Sequence, residues 1–144
     1  GMNGWKNEAL EKRISLMLRN GKVKRLGYLV RQDLIKIVAG ARLKIYPSLY
    51  EGFGLPPLEA MACGVPVISS NTSSLPEILG DAGIQLPPNI HEKWTETIQM
   101  LLTDDVLHAN LSRRSLEKSA QYNWKKCAEA TKVVYEHAMA RYGR

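Results

Sequence analysis

Apolar residues recur at helical spacing near the start of the chain and again along its last third. Between Leu10 and Leu18 they fall on one side of a helix with roughly 3.6 residues per turn, and Asn20-Gly21 is a typical C-terminal stop. Further apolar stripes begin at Trp94, Leu107 and Trp124. The pattern therefore predicts one helix before residue 21 and a run of helices after residue 88.

Short apolar runs and helical stretches alternate in the middle of the chain. The runs predict strands at residues 25–30, 43–48, 65–69 and 84–86. Helices are predicted over residues 34–41, from Pro56-Pro57 to Gly64, and over residues 75–79. Because parallel neighbours need helical crossovers, this alternation predicts an α/β fold: a Rossmann-like parallel sheet of about four strands with flanking helices, followed by C-terminal helices.

The length and composition bound the size and setting of the protein. A chain of 144 residues with 44% hydrophobic and 24% charged residues suits one domain, or part of one. Its apolar runs are too short to span a membrane and no signal-peptide core opens it, which favours the cytoplasm. Gly1 before Met2 is typical of a residue left by tag cleavage, which suggests a chosen segment of a longer protein.

The charge and the metal-ligating residue types narrow the choice of partner. A formal net charge of +6 suits a nucleotide diphosphate, an acidic membrane surface or a nucleic acid. No RNA-binding aromatic signature or zinc-finger spacing accompanies the basic residues, so nucleic-acid binding is not expected. Cys63 and Cys127 stand apart and the three histidines are scattered, which predicts reduced thiols and no metal site.

The residues with recognisable chemistry lie between Glu51 and Gly83, where Glu51 and Glu59 are separated by seven residues. Glu51 ends the loop after a predicted strand, where parallel sheets place ligand-binding residues, and Glu59 is predicted in the first turn of the next helix. Gly52 and Gly54 let backbone N–H groups approach a ligand closely, and the helix N-terminus favours a diphosphate. Glu59 would then accept hydrogen bonds from the vicinal hydroxyls of a ribose.

Each of these residues also has an ordinary structural explanation. A carboxylate in a first helical turn offsets the helix dipole by about 0.3–1 kcal/mol without any ligand, which would account for Glu59. The glycines beside Phe53 could simply form a turn, and Phe53 could be a core residue. Taken singly, the residues leave both interpretations open.

This segment and the residues around it resemble the family 4 glycosyltransferases, with the matching motifs in the same order along the chain. The E-x7-E spacing from Glu51 to Glu59 is similar to the hallmark of that family. Trp124 stands where the family has a tryptophan opening its last helix. The other matching positions are Gly27-Tyr28, Ala41, Tyr46-Pro47-Ser48, Pro76-Glu77 and Gly80-Asp81-Ala82. The match covers most of the chain.

The resemblance implies a GT-B fold of two Rossmann-like domains, in which residues 1–144 would be part of the C-terminal, nucleotide-sugar-binding domain. It implies transfer of a hexose from a UDP- or GDP-sugar to an acceptor, with retention and without a bound metal or other cofactor. By position, Glu51 would be the catalytic residue, beside the hydroxyls and reaction face of the transferred sugar. The other donor-binding positions would be Gly52, Phe53, Gly54 and Leu55 for sugar and phosphate, Glu59 for the ribose, and Leu29 and Val30 for the base.

The chain departs from the family pattern at its N-terminal side. The family's first two strands, which carry an arginine and a lysine that neutralise the diphosphate, have no counterpart before Gly21. Those strands would lie between the strands at residues 25–30 and 43–48, so we expect these two to close on each other, with some dimerisation through an open sheet edge. Without the two cations and the N-terminal acceptor domain, the chain alone is expected to be inactive.

Two further expectations concern the whole protein. In a full-length transferase, this domain could contact the inner face of the membrane. The alternative from a different class is a non-catalytic nucleotide-binding or interaction module derived from the same fold. Donor base, sugar and acceptor are not predicted by the sequence, because they depend on side chains and a domain outside it.

Overall fold

The computed structural model describes residues 8–142 and divides the chain into two compact units, one up to Lys36 and one from Ile37 onward. The strands are β1 (Lys44–Tyr46), β2 (Val67–Ser70) and β3 (Ile84–Leu86), and a 3-10 turn spans Gly80–Ala82. The helices are α1 (Glu8–Arg19), α2 (Arg31–Ala39), α3 (Leu55–Ala62), α4 (Leu75–Leu79), α5 (His91–Thr103), α6 (Asp105–Ser119) and α7 (Trp124–Tyr142). The predicted α/β class with C-terminal helices is confirmed.

The first unit contains α1, which ends where the sequence predicts. Gly21 follows the helix at φ 69°, in the left-handed conformation with which helices commonly end. Arg25 donates to both carboxylate oxygens of Glu11 at 3.0 Å. This contact ties the segment after α1 back to that helix.

One predicted strand is wrong, because residues 25–30 form no strand. The apolar residues that suggested it, Leu26, Tyr28 and Val30, are 43%, 96% and 58% exposed. Alternating apolar residues stabilise a strand only where a neighbouring strand pairs with its backbone and another layer covers its apolar face. The predicted closure of this strand on β1 is therefore wrong as well, and the described sheet has three strands instead of about four.

The sheet lies in the second unit and is parallel throughout, in the order β1-β2-β3. Lys44 aligns with Val67 near one end of the sheet and Ser70 with Leu86 near the other. Helices α3 and α4 lie in the two crossovers, as parallel neighbours require. The carboxyl ends of the strands consequently share one edge, and the loops after β1 and β2 leave from it.

Two apolar clusters cover the two faces of the sheet. Val67 packs in one cluster with residues of α3 and α4, while Ile68 packs in the other with residues of α5 and α6. Successive strand residues point to opposite faces, so these neighbours fall in different clusters. Every residue of β2 is buried, as expected for a strand covered on both sides. Helix α7, by contrast, has no buried residue.

Candidate functional site

The loop between β1 and α3 carries Glu51 and is held by hydroxyl groups of the loop that follows β2. The N–H of Glu51 donates to Ser73 Oγ at 2.9 Å. The Ser74 hydroxyl lies 3.0 Å from the carbonyl oxygen of Glu51 and 2.8 Å from that of Phe53. Both loops leave the carboxyl ends of neighbouring parallel strands, which is the edge where α/β folds place ligands.

Ser73 adopts a backbone conformation that is unusual for its residue type. Its φ is 50°, and within residues 8–142 it is the one residue other than glycine with a positive φ. This conformation costs about 1–2 kcal/mol, and strain of this kind clusters at functional sites. The sequence signals it only through the turn-forming polar run at residues 71–74, and it does not predict that Ser73 and Ser74 hold Glu51.

The side chain of Glu51 is held from a different direction, by β1. Tyr46 Oη donates to Glu51 Oε1 at 2.7 Å. The hydrogen bond from Tyr46, followed by one from Ser48, lowers the pKa of Glu51 against a smaller opposing effect of burial. The pKa of Tyr46 is raised to about 12. Burial is the largest cause, followed by the hydrogen bond to Glu51 and then by the negative charge of Glu51. At neutral pH the pair is therefore a neutral phenol that donates to a charged carboxylate.

The two glycines of the loop have different structural roles. Gly54 is the N-cap of α3 at φ 111° and ψ 45°, and a Cβ there would lie 3.0 Å from Leu75 Cδ2. Both the conformation and the close approach to α4 therefore require glycine at this position. Gly52 has no such φ, and no atom lies within 4 Å of the place that a Cβ would take. The fold leaves open space beside Gly52.

The start of α3 offers fewer hydrogen-bond donors than a helix N-terminus ordinarily does. Pro56 and Pro57 occupy the second and third positions of the helix and have no backbone N–H. The N–H groups of residues 52–55 find no acceptor anywhere in the part of the chain that the structure describes. An anion at this edge of the sheet would therefore meet the N–H groups of residues 52–54 and that of Leu55, the one residue among the first three of α3 that has an N–H.

Glu59 lies in the second turn of α3, so its predicted place in the first turn is wrong. The helix begins at Leu55, before the proline pair at which the sequence predicts its start. The Glu59 side chain is exposed and forms no hydrogen bond or ion pair with residues 8–142. Because the effect of the helix dipole falls off within the first turn, helix stabilisation does not account for this carboxylate. Glu59 can accept hydrogen bonds from a ligand.

The remaining predicted site residues fall in two places. Phe53 is 43% exposed and contacts Tyr122 edge to face, with 6.1 Å between the ring centroids, so it is not a core residue. Leu29 and Val30 belong to the first unit, immediately before α2. The carbonyl oxygen of Val30 accepts the N–H of Asp33 at 3.1 Å, which leaves the carbonyl engaged at the start of that helix.

Metal ligands, membrane-spanning helices and reactive thiols add nothing to this site within the described residues. Over residues 8–142, no three His, Cys, Asp or Glu side chains come together as metal ligands. No helix within those limits has the length and apolarity needed to cross a bilayer. Cys63 and Cys127 are free thiols, the first half-buried and the second exposed. The candidate site therefore consists of the loop at residues 51–55, Glu59 and the hydroxyl groups that hold the loop.

Comparison with known proteins identifies the class to which this site belongs. The model of the family described as Glycosyl transferases group 1 matches residues 1–121. O-antigen chain mannosyltransferase B of Escherichia coli is 41% identical over 136 residues, which are 94% of this chain and 36% of that protein. A D-inositol 3-phosphate glycosyltransferase of Saccharomonospora viridis is 32% identical over 113 residues, which are 77% of this chain and 26% of that protein. The chain belongs to the group 1 glycosyl transferases, and it spans at most 36% of the length of these two relatives.

Solved structures give the same result for the fold. Sucrose-phosphate synthase from Thermosynechococcus elongatus superposes with a TM-score of 0.78 at 28% identity, over 95% of this chain and 36% of that chain. The C-terminal domain of a group 1 glycosyl transferase from Francisella tularensis gives 0.68 at 22% identity, over 82% of this chain and 64% of that chain. Anabaena HepE in complex with UDP-glucose gives 0.65 at 22% identity, over 81% of this chain and 33% of that chain. The predicted fold, part of a GT-B C-terminal domain, is confirmed.

Proposed function

We propose that this chain supplies much of the donor site of a retaining hexosyltransferase, which moves a hexose from a nucleotide-diphosphate sugar to an acceptor. The observation that carries the proposal is the loop at residues 52–55, whose N–H groups have no acceptor in the described chain and which lies between Glu51 and Glu59 in sequence. Backbone amides suit a diphosphate, and carboxylates suit sugar hydroxyls. Family membership supports a transferase, and one structural neighbour was solved with UDP-glucose.

Each part of the donor has a proposed partner. The N–H groups of residues 52–55 hold phosphate oxygens and the transferred sugar. Glu51 accepts hydrogen bonds from sugar hydroxyls at the reaction face, and Glu59 accepts them from the ribose. Both carboxylates repel a diphosphate, so each must lie beside hydroxyl groups and away from the phosphates. We expect no metal ion to take part in this arrangement.

The donor class and the behaviour of the isolated chain follow from the same reasoning. The mannosyltransferase relative favours a mannosyl donor, carried on GDP or UDP. The chain alone binds a donor weakly and transfers nothing, because an acceptor domain and the diphosphate-neutralising cations supply much of the positioning and charge stabilisation that catalysis needs. The whole transferase supplies these groups from sequence outside the present chain.

Donor binding is tested by isothermal titration calorimetry with UDP-glucose and GDP-mannose, on this chain and on an N-terminally extended chain. Glu59→Gln removes the negative charge at an exposed site, and Glu96→Gln is the matched control on α5, where the glutamate is also exposed. We expect Glu59→Gln to weaken binding about tenfold, the factor for one lost charge-assisted hydrogen bond, and Glu96→Gln to leave it unchanged. Equal binding by every version would contradict the placement of the ribose at Glu59.

Transfer is tested with a labelled donor and a saccharide acceptor. We expect the extended chain to transfer the sugar and the present chain to transfer none. The anomeric configuration of the first-formed product, read by NMR, reports the stereochemistry. Inversion would contradict the proposed mechanism, and transfer by the present chain would contradict its proposed inactivity.

A further inference from the structure

The Glu51 carboxylate accepts a hydrogen bond from β1 that the proposed function does not include. Tyr46, the last residue of β1, donates its hydroxyl to Glu51 Oε1 at 2.7 Å. The Tyr46 ring is itself half-buried, and Lys44 places its Nζ 5.8 Å from the ring centroid on the same side of the strand. The phenol therefore stands on a strand of the sheet, where its orientation is better fixed than that of a loop residue.

The backbone of Glu51 is fixed independently of its side chain. Its N–H is bound by Ser73 and its carbonyl oxygen by Ser74, both from the loop after β2. With the main chain held by that loop, the remaining freedom of Glu51 is rotation about its side-chain bonds. The contact with Tyr46 selects among those rotamers, and the other lone pairs of the carboxylate stay available for a ligand.

We propose that Tyr46 is a positioning residue, which aims the Glu51 carboxylate at the hydroxyls of the donor sugar. This inference rests on the proposed function. The charge states of the two groups support it, because the hydrogen bond from Tyr46 is the leading cause that lowers the pKa of Glu51. Burial and then Glu51 raise the pKa of Tyr46 to about 12, so the phenol keeps its proton and the carboxylate accepts.

The contact is tested on the present chain by a carboxyl-carbon NMR titration of Glu51. Tyr46→Phe removes one hydroxyl and keeps the ring, while Tyr50→Phe is the matched control, since Tyr50 adjoins Glu51 and is 82% exposed. We expect the pKa of Glu51 to rise in Tyr46→Phe and to stay unchanged in Tyr50→Phe. An unchanged pKa of Glu51 in a folded Tyr46→Phe chain would overturn the proposal.

A reciprocal measurement keeps the test decisive if Tyr46→Phe fails to fold. Titration of ring-carbon-labelled tyrosine follows Tyr46 directly, with Glu51→Gln as the variant. We expect the pKa of Tyr46 to fall from about 12 toward the ordinary tyrosine value of 10.0. A Tyr46 pKa that stays at about 12 in Glu51→Gln would overturn the coupling between the two groups.

Ligand binding separates this proposal from the function on which it rests. In the N-terminally extended chain, Tyr46→Phe should weaken the nucleotide sugar about tenfold and leave the sugar-free nucleotide diphosphate unchanged, because the misplaced carboxylate contacts only the sugar. Equal loss for both ligands would overturn the positioning role. If the unaltered extended chain binds neither ligand, the proposed function fails, and the role of Tyr46 in donor binding fails with it. An unchanged Glu51 pKa with normal donor binding overturns the role of Tyr46 alone.

Discussion

Replacing Gly54 by alanine should destabilise the protein, whereas the same replacement at Gly52 should not. Gly54 has φ 111°, a conformation that costs a residue with a Cβ about 1–2 kcal/mol. The new methyl group would also lie 3.0 Å from Leu75 Cδ2, and Leu75 is fully buried with little room to move. The two effects together predict about 1–3 kcal/mol of lost stability.

The comparison with Gly52 isolates this native-state strain. A glycine-to-alanine change also stiffens the unfolded chain and so adds about 0.4–1 kcal/mol of stability at a compatible site. This contribution is shared by both variants and cancels in their difference. At Gly52 no atom lies within 4 Å of the added group, so the unfolded-state effect alone remains.

Urea unfolding followed by circular dichroism measures both variants, and thermal unfolding gives a second reading. We expect Gly54→Ala to unfold about 3–9 °C below Gly52→Ala, at roughly 3 °C per kcal/mol for a chain of this size. Equal midpoints for the two variants would refute the reasoning. Gly52→Ala has a separate use, because a methyl group in the open space beside the loop should weaken donor binding in a chain of undiminished stability.

Three further predictions concern the hydroxyl groups around the site. Ser74→Ala should cost about 0.5–1.5 kcal/mol in urea unfolding, since one proton serves two carbonyl oxygens, and a loss above about 3 kcal/mol would show that the hydroxyl holds more than this loop. Ser69→Ala should destabilise the protein by about 1 kcal/mol, because the Ser69 hydroxyl donates to the carbonyl oxygen of Ser70. Ser70→Ala should stabilise it by about the same amount, because the buried Ser70 Oγ has no hydrogen-bond partner within the described residues. Loss of stability on Ser70→Ala would contradict this assignment. The pKa of Tyr46 is about 12 in the folded chain, against the ordinary value of 10.0 that applies when the chain is unfolded. The contribution of this shift to the free energy of unfolding is therefore complete below pH 10 and is lost as the pH rises toward 12. Unfolding midpoints measured across that interval should fall more steeply for the native chain than for Tyr46→Phe, and parallel curves would contradict the shift.

The fold was predictable wherever local pattern and tertiary environment agree. Residues 84–86 form the predicted strand because β2 is beside them to pair with their backbone. Residues 25–30 show a similar apolar alternation and form none, because a sequence pattern does not reveal whether a partner strand is present. The limits of α3 show a smaller error of the same kind, since its first residue, Leu55, precedes the proline pair that suggested the start.

The sequence predicts the residue types of the site but not the hydrogen bonds that hold those residues in place. The spacing of Glu51 and Glu59 on either side of a glycine-rich loop was visible in the sequence. The hydroxyl of Tyr46 and those of Ser73 and Ser74 come from other segments, and only the parallel pairing of β1 with β2 brings their loops together. Contacts of this kind depend on tertiary geometry, so a single sequence gives no spacing from which to infer them.

Helix α7 has a practical consequence for any study of the chain in solution. Because none of its 19 residues is buried, its helical structure receives little support from the core, and helices in proteins gain most of their stability from such packing. Far-ultraviolet ellipticity counts those residues, whereas near-ultraviolet signals follow packed aromatic rings such as the buried Trp94. The two optical transitions should therefore separate, with ellipticity declining first as α7 frays and the aromatic signal marking the later cooperative loss of the sheet and its two clusters.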